Sequence, residues 1–101
     1  MKFKRWPRYN QTEIEAAVNV LSSGKVNYWT GNECKSFEKE FANYVGSKFA
    51  VAVANGTLAL DACYKAIGIR EGDEIITTPR TFIATSMAAI NLGAKPIFAD
   101  V

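Results

Sequence analysis

Between residues 49 and 101 the chain alternates between short apolar runs and helical stretches almost free of charge. Phe49–Ala54 (FAVAVA) is apolar throughout and reads as a strand buried on both faces. Leu58–Ile67 has helical spacing with Ala and Leu on most sides, so it reads as a covered helix closed by Gly68. Glu71-Gly72-Asp73 is a turn, and Glu74–Thr78 (EIITT) is a second, β-branched strand. Thr81–Leu92 carries no charge and reads as a buried helix ended by Gly93. Pro96–Val101 (PIFADV) is a third strand. Strand, helix, strand, helix, strand predicts parallel α/β architecture, and few other folds accommodate that order.

The first 48 residues have a different character. Residues 1–10 are irregular, with Pro7 blocking a helix. Thr12 and Glu15 fit the T-x-x-E capping box, and Ile14, Ala17, Val18 and Leu21 follow as one apolar stripe, ended by Ser22-Ser23-Gly24. A loop over 25–32 carries two aromatics, Tyr28 and Trp29. A second amphipathic helix spans about Glu33 to Val45, with Phe37, Phe41 and Tyr44 on one face and Gly46 as its C-cap. Lys35, Glu38, Lys39 and Glu40 fall toward solvent. The predicted organisation is thus a helical entry segment over 1–48 and a βαβαβ unit over 49–101.

Composition removes several function classes. The net charge is +2, too small to argue for nucleic acid or an anionic membrane as partner. The basic cluster Lys2, Lys4, Arg5 and Arg8 reads as a solvated end. No apolar stretch reaches the roughly 18–20 residues that cross a bilayer, and the first residues lack a signal peptide's apolar core, so a cytoplasmic location is expected. With no histidine, a His-based triad, metal site or proton shuttle is excluded within these residues. Cys34 and Cys63 are not in a CxxC pair, lie on apolar helix faces, and read as lone buried thiols.

In parallel α/β sheets, ligands sit beyond the carboxyl ends of the strands. Asn55-Gly56-Thr57, Thr78-Pro79-Arg80-Thr81-Phe82 and Asp100 all fall there. The opening amides of a helix have no intrahelical partner and carry partial positive charge, so they bind an anion without a basic side chain. Gly56 permits close approach and Thr57 adds a hydroxyl, which suits a phosphate. The same three residues also make an ordinary N-cap and tight turn that bind nothing. Phe82 fits either a core position or a ring stacked on a planar ligand. A phosphate beside a planar ring suggests a nucleotide, a flavin or pyridoxal phosphate. Asp100 reads as a polar contact or a simple turn former.

The run "FEKEFANYVGSKFAVAVANGTLALDACYKAIGIREGDEIITTPRTFIATSMAAINLGAKPIFADV", with "SGKVNYWTGNECKSFEKEF" upstream, closely resembles the start of the DegT/DnrJ/EryC1/StrS family of sugar aminotransferases. The resemblance covers about Trp6 to Val101 in several ordered blocks. It implies an incomplete large domain of the type I pyridoxal 5′-phosphate-dependent transferase fold, an N-terminal fragment of a usually homodimeric enzyme. It implies that Gly56 and Thr57 hold the cofactor phosphate and Phe82 stacks on its pyridine ring. Tyr28, Trp29 and Gly31 lie in the segment that approaches the substrate. The implied reaction moves an amino group, often from glutamate, to a keto sugar linked to a nucleoside diphosphate, in lipopolysaccharide or other polysaccharide biosynthesis. None of Lys25, Lys35, Lys39, Lys48, Lys65 or Lys95 matches the family's Schiff-base lysine, so no catalytic residue is assigned and the fragment alone is expected to be inactive. Some relatives carry His instead of that lysine and act as dehydratases. "ANGTLALD" looks more like the aminotransferase branch. Family members separate the first strand from the next two by strands contributed later, so rearranged pairing, strand exchange or a tight oligomer is expected here. The competing expectation is a small non-catalytic α/β module that binds a phosphorylated ligand or a partner protein.

Overall fold

The computed structural model describes residues 6–100, and these form two compact units, one ending at Ala52 and the other starting at Val53. Most of the basic cluster (Lys2, Lys4, Arg5) lies outside the described residues, as does Val101.

The first unit holds two helices, α1 (Gln11–Ser23) and α2 (Glu33–Val45). α1 starts earlier than the Thr12–Glu15 pattern suggests. Asn10 is the N-cap: its side chain accepts from the Glu13 amide at 2.9 Å, and the Glu13 carboxylate accepts from the Asn10 amide at 2.6 Å. Asn outranks Thr at this position, and beginning at Asn10 lengthens the helix. Glu15 instead accepts from the Gln11 side chain at 3.0 Å, one turn back. The C-termini follow expectation, with Gly24 and Gly46 in the left-handed region at φ 68° and 70°. Ser47 then donates to the Ala42 carbonyl at 3.0 Å, completing the close of α2. Phe37 and Phe41 lie on one face of α2 with ring centroids 5.6 Å apart. Only Ala42 is buried in this helix, and α1 buries nothing, leaving Ile14, Val18 and Leu21 exposed.

Phe49–Ala54 forms no strand, which corrects the first β assignment and the rearranged pairing expected within the chain. An extended segment becomes a strand only against a ladder partner, and none of the described residues supplies one. Phe49 and Val51 are exposed, and the Ala52 amide is satisfied by a side chain, Glu38.

The second unit runs α3 (Gly56–Ala66), β1 (Glu74–Thr77), α4 (Ala84–Ile90), β2 (Lys95–Phe98). β1 and β2 pair in parallel, Glu74 opposite Lys95 through Thr77 opposite Phe98. The ladder is bracketed by Lys95 donating to Asp73 at 2.8 Å and Ala99 donating to Thr77 at 2.9 Å. The α/β class therefore holds, with a two-stranded sheet. The turn at 71–73 also forms: Asp73 donates to the Arg70 carbonyl and its carboxylate accepts from the Arg70 amide.

α4 is shorter than its uncharged run. At its start Thr85 and Ser86 bond back three residues, to Phe82 and Ile83; at its end Leu92 and Gly93 do the same, to Ala89 and Ile90. Both ends tighten into three-residue turns, leaving seven α-helical residues. Gly93 is required there. Its φ is 78°, and a Cβ would sit 3.0 Å from the Glu71 side chain. The core of this unit is Ala84, Ala88, Ala89 and Ala94, with Ser86 buried beside them, where α4 packs on α3 and on both strands. α3 buries no residue, so it is less covered than its composition suggests: α4 flanks it and Leu58 stays exposed. Cys34 and Cys63 are both exposed, which corrects the buried-thiol reading: the apolar faces they share are only thinly covered, since α1 and α3 bury no residue and α2 only Ala42.

Candidate functional site

The opening of α3 is built by Asn55. Its backbone is extended, its side-chain oxygen accepts from the Leu58 amide at 3.0 Å, and its carbonyl accepts from the Ala59 amide at 3.1 Å. This caps the helix while leaving the Gly56 and Thr57 amides with no acceptor among the described residues. No acidic side chain lies in the first turn to offset the positive end of the helix. A Cβ built on Gly56 meets nothing within 4 Å. Glycine is therefore not demanded by the fold at this position; the space over the two amides is open.

Phe82 lies in the turn between β1 and α4, beyond the carboxyl end of β1. Its carbonyl accepts from the Thr85 amide at 3.1 Å, which makes its backbone part of the α4 start. Its side chain is 73% exposed, with no aromatic partner among the described residues, so it is not a core residue of this unit. Thr78 accepts from the Arg80 amide at 3.2 Å, and the Thr81 and Thr85 hydroxyls are 3.2 Å apart, so the turn is held by its own side chains. Tyr64 of α3 donates to the Thr85 carbonyl of α4 at 3.5 Å, linking the helices that follow Gly56-Thr57 and Phe82. Asp100 is exposed just past β2, at the same end of the sheet as the 78–82 turn.

Tyr28, Trp29 and Gly31 belong to the first unit. The Asn27 side chain accepts from the Trp29 and Thr30 amides, both at 3.0 Å, and its carbonyl accepts from Gly31 at 2.8 Å. A Cβ at Gly31 would lie 2.5 Å from the Lys25 carbonyl oxygen, so this glycine is required by the loop itself. Tyr28 donates to Glu38 at 3.1 Å, has the Lys35 ammonium 5.5 Å from its ring centre, and meets Trp29 edge-on at 6.3 Å. The hydrogen bond to the Glu38 carboxylate, and then its charge, hold the Tyr28 phenol above its ordinary range. Glu38 is half-buried and engaged, not solvated as its place on the polar face of α2 implies. Its partners are ten and fourteen residues away, a spacing no periodic pattern reveals.

Two clefts lie in the first unit. One of about 620 Å³ is bounded by Ala16, Val20, Lys25, Gly31 and Glu33, and one of about 300 Å³ by Lys35, Glu38, Lys39 and Phe49. Neither includes Gly56, Thr57 or Phe82, whose surroundings are open. No helix among the described residues is long and apolar enough to cross a membrane, and none of their His, Cys, Asp or Glu side chains cluster as a metal site.

This arrangement of helices and parallel strands recurs in solved aminotransferases. An aminotransferase from Psychrobacter cryohalolentis superimposes with a TM-score of 0.92 at 53% identity, covering 99% of this chain and 25% of that one. NtdA from Bacillus subtilis, solved with bound cofactor PMP, gives 0.79 at 29% identity, over 91% of this chain and 22% of its own. The fold is thus part of the type I large domain of such enzymes. The chain belongs to the DegT/DnrJ/EryC1/StrS aminotransferase family, whose model matches residues 7–101. Among curated relatives, the spore coat polysaccharide biosynthesis protein SpsC of Bacillus subtilis is 45% identical over 94% of this chain and 24% of its own length. The UDP-2-acetamido-2-deoxy-3-oxo-D-glucuronate aminotransferase of Pseudomonas aeruginosa is 39% identical over 88% of this chain and 24% of its own. The chain spans about a quarter of the length of the curated relatives it matches.

Proposed function

We propose that these residues form the phosphate-binding end of a pyridoxal 5′-phosphate-dependent aminotransferase. In this reading the complete protein is a cytoplasmic homodimer that moves an amino group from glutamate to a keto sugar carried on a nucleoside diphosphate. The observation that carries it is the opening of α3: two unpartnered amides, a threonine hydroxyl and clear space over Gly56. A phosphate fits that donor set, because the capped helix end offers N–H groups and no competing carboxylate. When bound, the cofactor supplies the electron sink that makes nitrogen transfer between donor and acceptor carbon feasible.

The chain's own residues bind and orient. Asn55 secures the first turn of α3, so the Gly56 and Thr57 amides stay free for the anion. Thr57 adds its hydroxyl as a further donor. Phe82, exposed and without a ring partner, stacks on the pyridine ring, an arrangement worth on the order of 1 kcal/mol. Tyr28, Trp29 and Gly31 shape the loop that the substrate approaches. The lysine that attaches the cofactor comes from residues other than these, since no lysine here matches the family position.

The names of the relatives support the substrate class. The Pseudomonas relative is named for a UDP-linked 3-oxo sugar, and SpsC for polysaccharide biosynthesis. The test is amination of UDP-2-acetamido-2-deoxy-3-oxo-D-glucuronate, with glutamate as donor, by the complete polypeptide loaded with pyridoxal 5′-phosphate. A cofactor absorbance band that bleaches with glutamate and returns on addition of the keto sugar is the expected result. A polypeptide that takes up no cofactor overturns the reading.

A further inference from the structure

Two hydrogen bonds from separate stretches of the first unit converge on one side chain. Glu38 is half-buried, while Lys35, Lys39 and Glu40 on the same helix are exposed. One carboxylate oxygen accepts from the Tyr28 hydroxyl at 3.1 Å, and the other accepts from the Ala52 amide at 2.8 Å. A carboxylate with each oxygen given to a different non-helical segment is not a surface charge kept for solubility. It joins three stretches of the first unit: the loop after α1, the middle of α2, and the extended chain whose last residue is Ala52. Lys35 lies over the ring of Tyr28, one turn before Glu38. α2 therefore holds Tyr28 at both its hydroxyl and its ring. Trp29 differs: its indole is 88% exposed and meets Tyr28 in a T-shaped contact, while its backbone is fixed by Asn27.

We infer that Glu38 is the positioning residue of the 25–32 loop: its carboxylate anchors Tyr28 to α2, so that Trp29 alone is presented as the loop's aromatic toward the sugar substrate. The inference rests on the proposed function, in which this loop faces substrate. It divides a pair of neighbouring aromatics into two roles. Tyr28 is committed to α2 and acts on the loop; Trp29 acts on the ligand.

The experiment compares W29A, E38A, E38Q and the double variant E38A/W29A in the complete cofactor-loaded protein, with UDP-2-acetamido-2-deoxy-3-oxo-D-glucuronate as probe. Trp29→Ala and Glu38→Ala are each expected to raise KM about tenfold, with kcat held within about twofold. The double variant is expected to be no worse than Trp29→Ala alone, because both changes remove the same contact. A Glu38 that only supports the fold would lower stability and active fraction, leave KM in place, and multiply with Trp29→Ala; that pattern overturns the inference. Glu38→Gln keeps the shape should the alanine variant not fold. Its readout is the tyrosinate absorbance of substrate-free protein, with Y28F as the reference that isolates Tyr28. The Tyr28 titration is expected to return toward the ordinary tyrosine range in Glu38→Gln, and an unmoved titration overturns the anchor. If the wild type aminates no sugar, the proposed function fails, while the tyrosine titration still decides whether Glu38 holds the loop.

Discussion

At the scale of single residues, Tyr28 shows how an exposed group can still be committed. Its phenol is held above the ordinary range by the Glu38 carboxylate, which favours the protonated form in the folded protein. The sign follows from linkage: a raised folded value means that the stabilisation is complete below the ordinary tyrosine value and is lost as pH rises through the folded one. The stability difference between wild type and Tyr28→Phe is therefore expected to be constant from neutral pH to about 10 and to shrink above it. Thermal melts of the complete protein as a function of pH measure it, and a difference that widens in alkali contradicts the contact. Gly31 and Gly56 make the opposite pair. A side chain at Gly31 would strike the Lys25 carbonyl, whereas one at Gly56 would enter empty space. Glycine at 31 serves the loop, and glycine at 56 is left for a ligand to explain.

At the scale of elements, the register of α1 is set by Asn10 and Glu13, not by Thr12 and Glu15. Asn10→Ala is expected to cost about 1 kcal/mol of stability, and Thr12→Ala only a few tenths. Urea unfolding of the two variants distinguishes them, and equal losses contradict the capping geometry. This element also shows what a sequence can and cannot announce. Helix ends at Gly24 and Gly46, and the turn at Glu71-Gly72-Asp73, were legible because left-handed glycine and Asx chemistry act locally. Two overlapping N-x-x-E and T-x-x-E patterns were not separable, because both satisfy the same local rule. Phe49–Ala54 was misread for a different reason. Its composition suits a buried strand, but a strand is a relation between two segments, and the partner is not among the described residues. The Glu38 contacts were invisible for the same cause: they join residues with no periodic relation. Of the site, the α3 start was legible from its place in the strand–helix order, whereas Phe82 fitted a core or a stacking position equally, because sequence position does not fix which neighbours cover a ring.

At the scale of the whole molecule, every buried apolar residue among those described is an alanine: Ala42 in the first unit, and Ala84, Ala88, Ala89 and Ala94 in the second. No large side chain among the described residues is fully buried. Ordering a backbone costs roughly 1–2 kcal/mol per residue, and so small a buried core offsets little of that over the described residues. Expressed by themselves, these residues are expected to melt without a cooperative transition and to bind a hydrophobic dye. A sharp thermal transition without dye binding contradicts this. The relatives are about four times as long, and their apolar surfaces have correspondingly more chain to pack against. Phe37, Phe41, Phe49 and Val51 are exposed apolar surface, the kind of patch that marks an interaction surface.

The claim on which the functional account turns is that the open helix start at Gly56 and Thr57 receives the cofactor's phosphate. The most direct measurement is the pyridoxal 5′-phosphate affinity of Gly56→Val in the complete protein, beside its melting temperature. Because nothing among the described residues lies within 4 Å of a Cβ at this position, the melting temperature of the cofactor-free protein is expected to stay unchanged. The affinity is expected to fall at least about tenfold, as the side chain takes the space of the phosphate and its charge-assisted hydrogen bonds are lost. An affinity equal to wild type, in a variant that folds normally, would place the phosphate somewhere else.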